Sequence, residues 1–183
     1  FLGPHTLTFI AEHETEDYAQ RGTASFFGDP NKDLTTRNRA LAAEYRLNGD
    51  DLELSLSARH ENNSEFQNAL SWRTTAAWHA NDTTTLFASV GDATKNPTFT
   101  ERFGFFDAFR GNPALKPEQA RSWELVLRQL IPAQEILISA SWFHSSLTDE
   151  INGFVYDSVS AAFTASNNLT QSARQGLELD LNW

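Results

Sequence analysis

Residues 111–130 read GNPALKPEQARSWELVLRQL, and the second half of that stretch decides the fold. It opens as a turn, with one glycine and two prolines among its first seven residues. It then becomes a strand pattern. Trp123, Leu125 and Leu127 fall on one side, with Glu124 and Arg128 on the other. A side-chain period of two belongs to an extended strand whose two faces meet different surroundings.

The same period recurs along the chain. Leu41, Ala43, Tyr45 and Leu47 alternate with Ala42, Glu44 and Arg46, and Leu52, Leu54, Leu56 and Ala58 alternate with Glu53, Ser55, Ser57 and Arg59. Segment 66–80 sets Phe66, Leu70, Trp72, Ala76 and Trp78 against Gln67, Ser71, Arg73 and His79. Near the end, Leu177, Leu179, Leu181 and Trp183 alternate with Glu178, Asp180 and Asn182. Shorter or noisier versions lie at 6–13, 84–91, 120–130 and 135–145, which makes about eight strands and an all-β protein.

The connections carry a second pattern. They run long (14–36), short (48–50), moderate (61–65), short (81–82), long (95–118), short (131–133) and long (152–170). In an up-and-down antiparallel meander, alternate connections share an end, so tight turns gather at one end and longer loops at the other. A transmembrane β-barrel obeys that rule, with apolar side chains facing lipid and polar ones facing the lumen. A soluble antiparallel sheet with its apolar face on a core gives the same alternation. It gives no reason for the loop parity.

Composition narrows the function. The net charge is −10, from 24 acidic against 14 basic residues, which argues against a nucleic-acid partner. No run approaches the roughly 18 apolar residues of a membrane-spanning helix, so a membrane would be met by strands. Cysteine is absent, which excludes disulfides and thiolate metal sites, and aromatic residues make up 12% of the chain. Catalytic signatures such as G-x-S-x-G, H-E-x-x-H or a glycine-rich phosphate loop do not occur, so the expectation is no enzyme and no cofactor. Asp29-Pro30-Asn31-Lys32-Asp33 starts like a calcium loop. It has Leu34 where glycine is needed and Ala40 where glutamate is needed, and it reads as a loop tip. The histidines at 5, 13, 60, 79 and 144 are scattered over different strands and suit interfacial or lumen positions better than a metal.

A longer order of motifs adds a family. Asn96-Pro97-Thr98-Phe99-Thr100-Glu101 is followed by an aromatic run from Phe103 to Phe109, then Gly111-Asn112-Pro113-Ala114-Leu115-Lys116-Pro117-Glu118, then Trp123-Glu124. Further on come SWFHSSLTDEI (141–151) and NNLTQSARQGLELDLNW (167–183). In order and spacing these resemble the C-terminal half of the barrel of TonB-dependent outer-membrane receptors. The resemblance implies an antiparallel up-and-down transmembrane β-barrel, here an incomplete segment spanning residues 1–183, without the plug domain and remaining strands of a roughly 22-stranded receptor. Phe1 is not a translation start, which agrees with an internal piece; the competing expectation is a complete eight-stranded barrel.

By that resemblance the location is the bacterial outer membrane, with the lipid bilayer as one partner. The function is active uptake of a ferric siderophore, energised by the TonB complex through the missing plug, with a cobalamin-type corrinoid as the alternative ligand. Loop 95–118 is the candidate ligand site: Phe99, Arg102, Phe103, Phe105, Phe106, Phe109 and Arg110 form an aromatic wall with two cations. That wall suits an anionic chelate through charge and cation–π contacts. The same phenylalanines read more readily as aromatic girdle and loop packing, whereas Arg102 and Arg110, as loop cations, have weaker packing reasons to be there.

Overall fold

Tight turns force sequence neighbours to pair, and the period-two segments do so. The computed structural model describes residues 4–105, 108–167 and 169–183. β1 (His5–Gln20), β2 (Lys32–Asn48), β3 (Leu52–Asn63), β4 (Ala69–Asn81), β5 (Thr84–Lys95), β6 (Glu118–Ile131) and β7 (Ile136–Thr148) follow one another in a single antiparallel sheet. β8 (Ile151–Asp157) and β9 (Ala162–Asn167) form a separate hairpin, and β10 (Ser172–Asn182) returns to the sheet beside β7. The turns at 49–51, 82–83 and 132–135 share one end of the sheet. The connections at 21–31, 64–68, 96–117 and 149–171 share the other, as the loop parity requires.

The register sorts the two faces. Leu125 pairs with Ala88 and Trp142, and the row continues through Ala76, Leu54 and Leu47 on one flank and Leu177 on the other. One residue along, Glu124 pairs with Ser89 and Phe143, in a row reaching Thr75, Ser55 and Arg46. The apolar face is the uncovered one: Phe9 and Leu179 are each 73% exposed and Leu177 69%. Among the described residues, the buried apolar positions are Ala40, Leu115, Val126, Ala162 and Ala165, too few and too small to be the core of a soluble domain. Lipid is the solvent this face fits.

The opposite face curves around a groove of about 880 Å³ to which all eight sheet strands contribute. Small residues such as Ser57, Ser89, Ser122 and Ser145 line it together with Glu44, Arg59, Arg73, Glu124 and Glu178. Ion pairs run along this face: Arg59 of β3 reaches over β2 to Glu12 of β1 at 3.1 Å and pairs with Glu61 on its own strand at 2.6 Å. Gly91 is required here, because a Cβ would lie 2.5 Å from the Trp72 carbonyl oxygen. At the loop end of the outward face, Arg121 pairs with Asp92 at 2.7 Å and the Trp72 indole N–H donates to the same carboxylate.

Three expectations change. The connection expected at 14–36 shrinks to 21–31, because β1 and β2 keep pairing far past the apolar band through polar partners such as Asp17 with Thr35 and Thr15 with Arg37. Hydrophobic period reports the lipid face alone, whereas a ladder continues wherever backbone groups find each other. Phe66 lies outside β4, in the connection before it. The segment 152–170, expected as plain loop, contains the β8–β9 hairpin, whose register shifts between Asn152 and Val155 and so blurs its alternation. In the sheet, β1 pairs with β2 and β10 with β7, so the eight strands do not close on one another and a complete eight-stranded barrel is not what they build.

Replacing Leu125 by arginine tests the outward face. In the full-length protein refolded into liposomes, the substitution should cost about 2–4 kcal/mol by denaturant titration if the site lies near the bilayer midplane.

Candidate functional site

Where β5 ends, Asn96-Pro97 turns the chain and Thr98 starts a short helix, α1 (Phe99–Phe103). The start is a capping box: Glu101 N–H donates to Thr98 Oγ1 at 3.2 Å, and Thr98 N–H donates to Glu101 Oε2 at 2.8 Å. The helix stops at Gly104, whose φ of 73° favours glycine. Close approach fixes the rest of the loop. A Cβ on Gly104 would fall 2.0 Å from the Phe109 carbonyl oxygen, and one on Gly111 would fall 2.1 Å from the Arg102 carbonyl carbon. The loop folds backbone against backbone at these two positions.

The helix holds three of the candidate residues, Phe99, Arg102 and Phe103, in one group. Phe103 is 6.4 Å from Phe99, and Phe99 stacks on Tyr18 of β1 at 4.8 Å. Arg102 is 8% exposed. Its guanidinium pairs with Glu65 at 3.1 Å and lies 4.9 Å from the Phe66 ring and 4.8 Å from the Phe103 ring. Its Nε is buried without a hydrogen-bond partner. The charge of Arg102 thus ties the 64–68 connection to the 96–117 loop.

A second aromatic group joins the loop to the hairpin. Phe109 stacks on Phe105 at 4.6 Å and on Phe163 of β9 at 4.8 Å, while Phe154 of β8 meets both Phe105 and Phe109 edge-on. The backbone follows: Phe163 N–H donates to the Ala108 carbonyl at 2.7 Å, and Arg110 N–H donates to the Phe163 carbonyl at 2.9 Å. Asn167 clamps the loop's far foot, accepting from Lys116 N–H at 2.8 Å and donating to the Lys116 carbonyl at 3.0 Å. Phe106, also a candidate, lies outside the described residues.

Between this loop and the 21–31 connection lies a cavity of about 320 Å³. Phe103, Phe105, Phe109 and Arg110 line it from one side, and Phe27, Asp29 and Lys32 from the other. The Arg110 side chain is exposed, and Lys32 Nζ sits 5.6 Å above the Phe103 ring. Asp29 balances part of that charge: the Asn31 backbone N–H and then its side-chain amide hold the carboxyl below the usual range. At the hairpin tip the Asp157 carboxyl is lowered likewise, first by the Ser160 hydroxyl.

Of the candidates, Arg102, Phe103, Phe105, Phe109 and Arg110 meet at this cavity, Arg102 as a largely buried part of its wall, while the Phe99 ring packs on Tyr18. Lys32 and Phe27, which line the cavity, and Phe154 and Phe163, whose rings pack on Phe105 and Phe109, are not predicted as members of the site from the sequence. Lys32 looked like a loop-tip lysine, and the aromatic pair Phe154 and Phe163 sat in apparent loop; their ring content was the available signal. His13 and His60 both line a groove on the outward face, and the other three histidines stand apart. His5 contacts Tyr45, His79 bonds to Glu53 and Thr85, and His144 stacks on Trp123.

The family model described as TonB dependent receptor-like, beta-barrel, matches residues 2–183. Among solved structures, the siderophore receptor PirA from Pseudomonas aeruginosa superposes with a TM-score of 0.80 at 20% identity, over 98% of this chain and 34% of that one. The ferric enterobactin receptor PfeA from Pseudomonas aeruginosa, as a mutant in complex with enterobactin, gives 0.77 at 16% identity, over 96% and 30%. The copper transporter OprC gives 0.76 at 14% identity, over 99% and 33%. The chain therefore spans about a third of the length of the structures it resembles, and at these identities the likeness is one of fold.

Glycine substitutions separate loop packing from loop length. Gly104→Ala and Gly111→Ala should each raise trypsin cleavage within 96–117 at least tenfold, scored by mass spectrometry of the folded full-length protein. Gly153→Ala, whose Cβ would have no atom within 4 Å, should leave the cleavage rate unchanged.

Proposed function

We propose, from the premise that the chain belongs to the TonB-dependent receptor family through its β-barrel, that the full-length protein takes up a ferric siderophore and draws the work for uptake from TonB. The family is one of transport receptors of the bacterial outer membrane, and the bilayer is the solvent of the leucine face. The groove behind that face is where a plug would sit and where TonB would act. No bond-making step is assigned to this chain. Its contribution is a wall and a set of binding groups.

The observation that carries the substrate choice is the cavity at the loop end, where the exposed cation Arg110 and Lys32 stand among Phe103, Phe105 and Phe109. A ferric chelate is large, carries negative charge and offers ring faces or apolar arms. Fixed cations beside aromatic faces match both properties. A corrinoid would use the rings and gain little from the cations, so it stands second. Arg102 also lines the cavity, but it is largely buried and its charge is already engaged by Glu65 and two rings.

Tryptophan fluorescence of the full-length protein tests this. It would be titrated separately with a ferric catecholate, a ferric hydroxamate, cobalamin and Cu(II). One of the ferric chelates should quench at submicromolar concentration, and the Lys32→Ala, Arg110→Ala double variant should weaken it at least tenfold, about 1.4 kcal/mol. Binding of cobalamin or copper alone would overturn the substrate. Chelate binding indifferent to both substitutions would overturn the site.

A further inference from the structure

On the outward face, one step beyond the apolar band, the sheet gathers four basic side chains. Arg39 of β2 stands directly opposite His13 of β1 and Asn62 of β3, and Arg37 follows on the same face. His60 lies next to them, paired with Leu41 on one side and Leu70 on the other. All four basic side chains are exposed, and among the described residues neither arginine makes an ion pair. The carboxylates of neighbouring strand positions are turned away: Glu12 and Glu61 face the lumen, where Arg59 holds both. The next outward carboxylate on β1 is Asp17, two steps above His13, and it accepts the Thr35 hydroxyl at 2.6 Å.

Such a cluster is costly in isolation, since the two guanidiniums, two residues apart on one strand face, repel each other. It is also out of character for a chain of net charge −10. Beneath it runs a groove of about 410 Å³ between Ala11, His13, Arg39, Leu41 and His60. Its floor is apolar and continuous with Phe9 and Leu41 of the lipid-facing band, while its rim carries Arg39, His13 and His60, with Arg37 two residues beyond on the same strand face. The groove lies on the side of the longer loops, where hydrocarbon gives way to headgroups.

We propose that this groove is a binding site for a lipid with a phosphorylated headgroup, its phosphate held by Arg37 and Arg39 with His13 and His60 as further donors, and its acyl chain lying along Leu41. Charge complementarity names the headgroup, and the apolar floor running into the bilayer face names a lipid. Arginine suits the task, because its planar fork donates two parallel hydrogen bonds to phosphate oxygens. The site is separate from the loop cavity and does not depend on what that cavity binds.

Native mass spectrometry of the delipidated full-length receptor in detergent is the test, with phosphatidic acid, the matched diacylglycerol and inorganic phosphate as probes. Wild type should retain phosphatidic acid at least tenfold better than diacylglycerol. Arg37→Gln with Arg39→Gln should lose that preference, whereas the lumen-facing pair Arg73→Gln with Arg128→Gln, which removes the same charge, should keep it. Equal loss in both double variants would mean bulk charge and overturn the site. So would equal retention of the two lipids by wild type, a comparison that needs no variant to fold. Displacement of phosphatidic acid by an equal concentration of inorganic phosphate would assign the cations to a free ion and overturn the lipid.

Discussion

A peptide group in hydrocarbon has no water to bond, and the ladder of hydrogen bonds between neighbouring strands is what lets this chain put apolar side chains outward. Everything else follows from that ladder. Because its partners are sequence neighbours, the sheet is a meander, and because its side chains alternate, one register fixes both faces at once. Leu125 could not point to lipid without Glu124 pointing to the lumen. The ordinary ordering of a soluble protein is inverted: large apolar side chains are the exposed ones, and the lumen wall carries serines, a glycine and charged side chains.

Legibility in the sequence tracked this physics closely. Strands were readable wherever two solvents differ, as along Leu52 to Ala58 or Leu177 to Leu181, because the period of two records that difference residue by residue. Above the bilayer both faces of β1 and β2 meet water, so the record stops at about residue 13 although the strand runs to Gln20. The β8–β9 hairpin was illegible for a related reason. Its rings pack against a loop distant in sequence, and a register shift breaks what alternation it has. In the candidate site the aromatic loop was visible from composition. The burial of Arg102 was not, because nothing local announces that Glu65 and Phe66 lie beside it.

The loop end behaves as a small core of its own. Two aromatic groups, the Arg102–Glu65 pair, the Asn167 clamp and the strand-like pairing of 108–110 with β9 bind three connections into one body. Stacked and edge-on rings give such a body stiffness without a large buried volume. The cavity beside it is therefore shaped by elements that hold one another, with Arg110 and Lys32 placed on its rim by backbone geometry.

The two ways of packing leave different room for descent with change. A lipid-facing position such as Leu177 has no shaped neighbour to satisfy, so any side chain of suitable polarity serves there, and such positions can drift through generations with little penalty. Gly104 and Gly111 are pressed against backbone and admit almost no alternative. Lineages of this barrel should thus diverge widely along the wall while keeping a few fixed points where the loop crosses itself. Low identity with a closely shared shape is the natural outcome of a fold whose largest surface is recognised by a fluid.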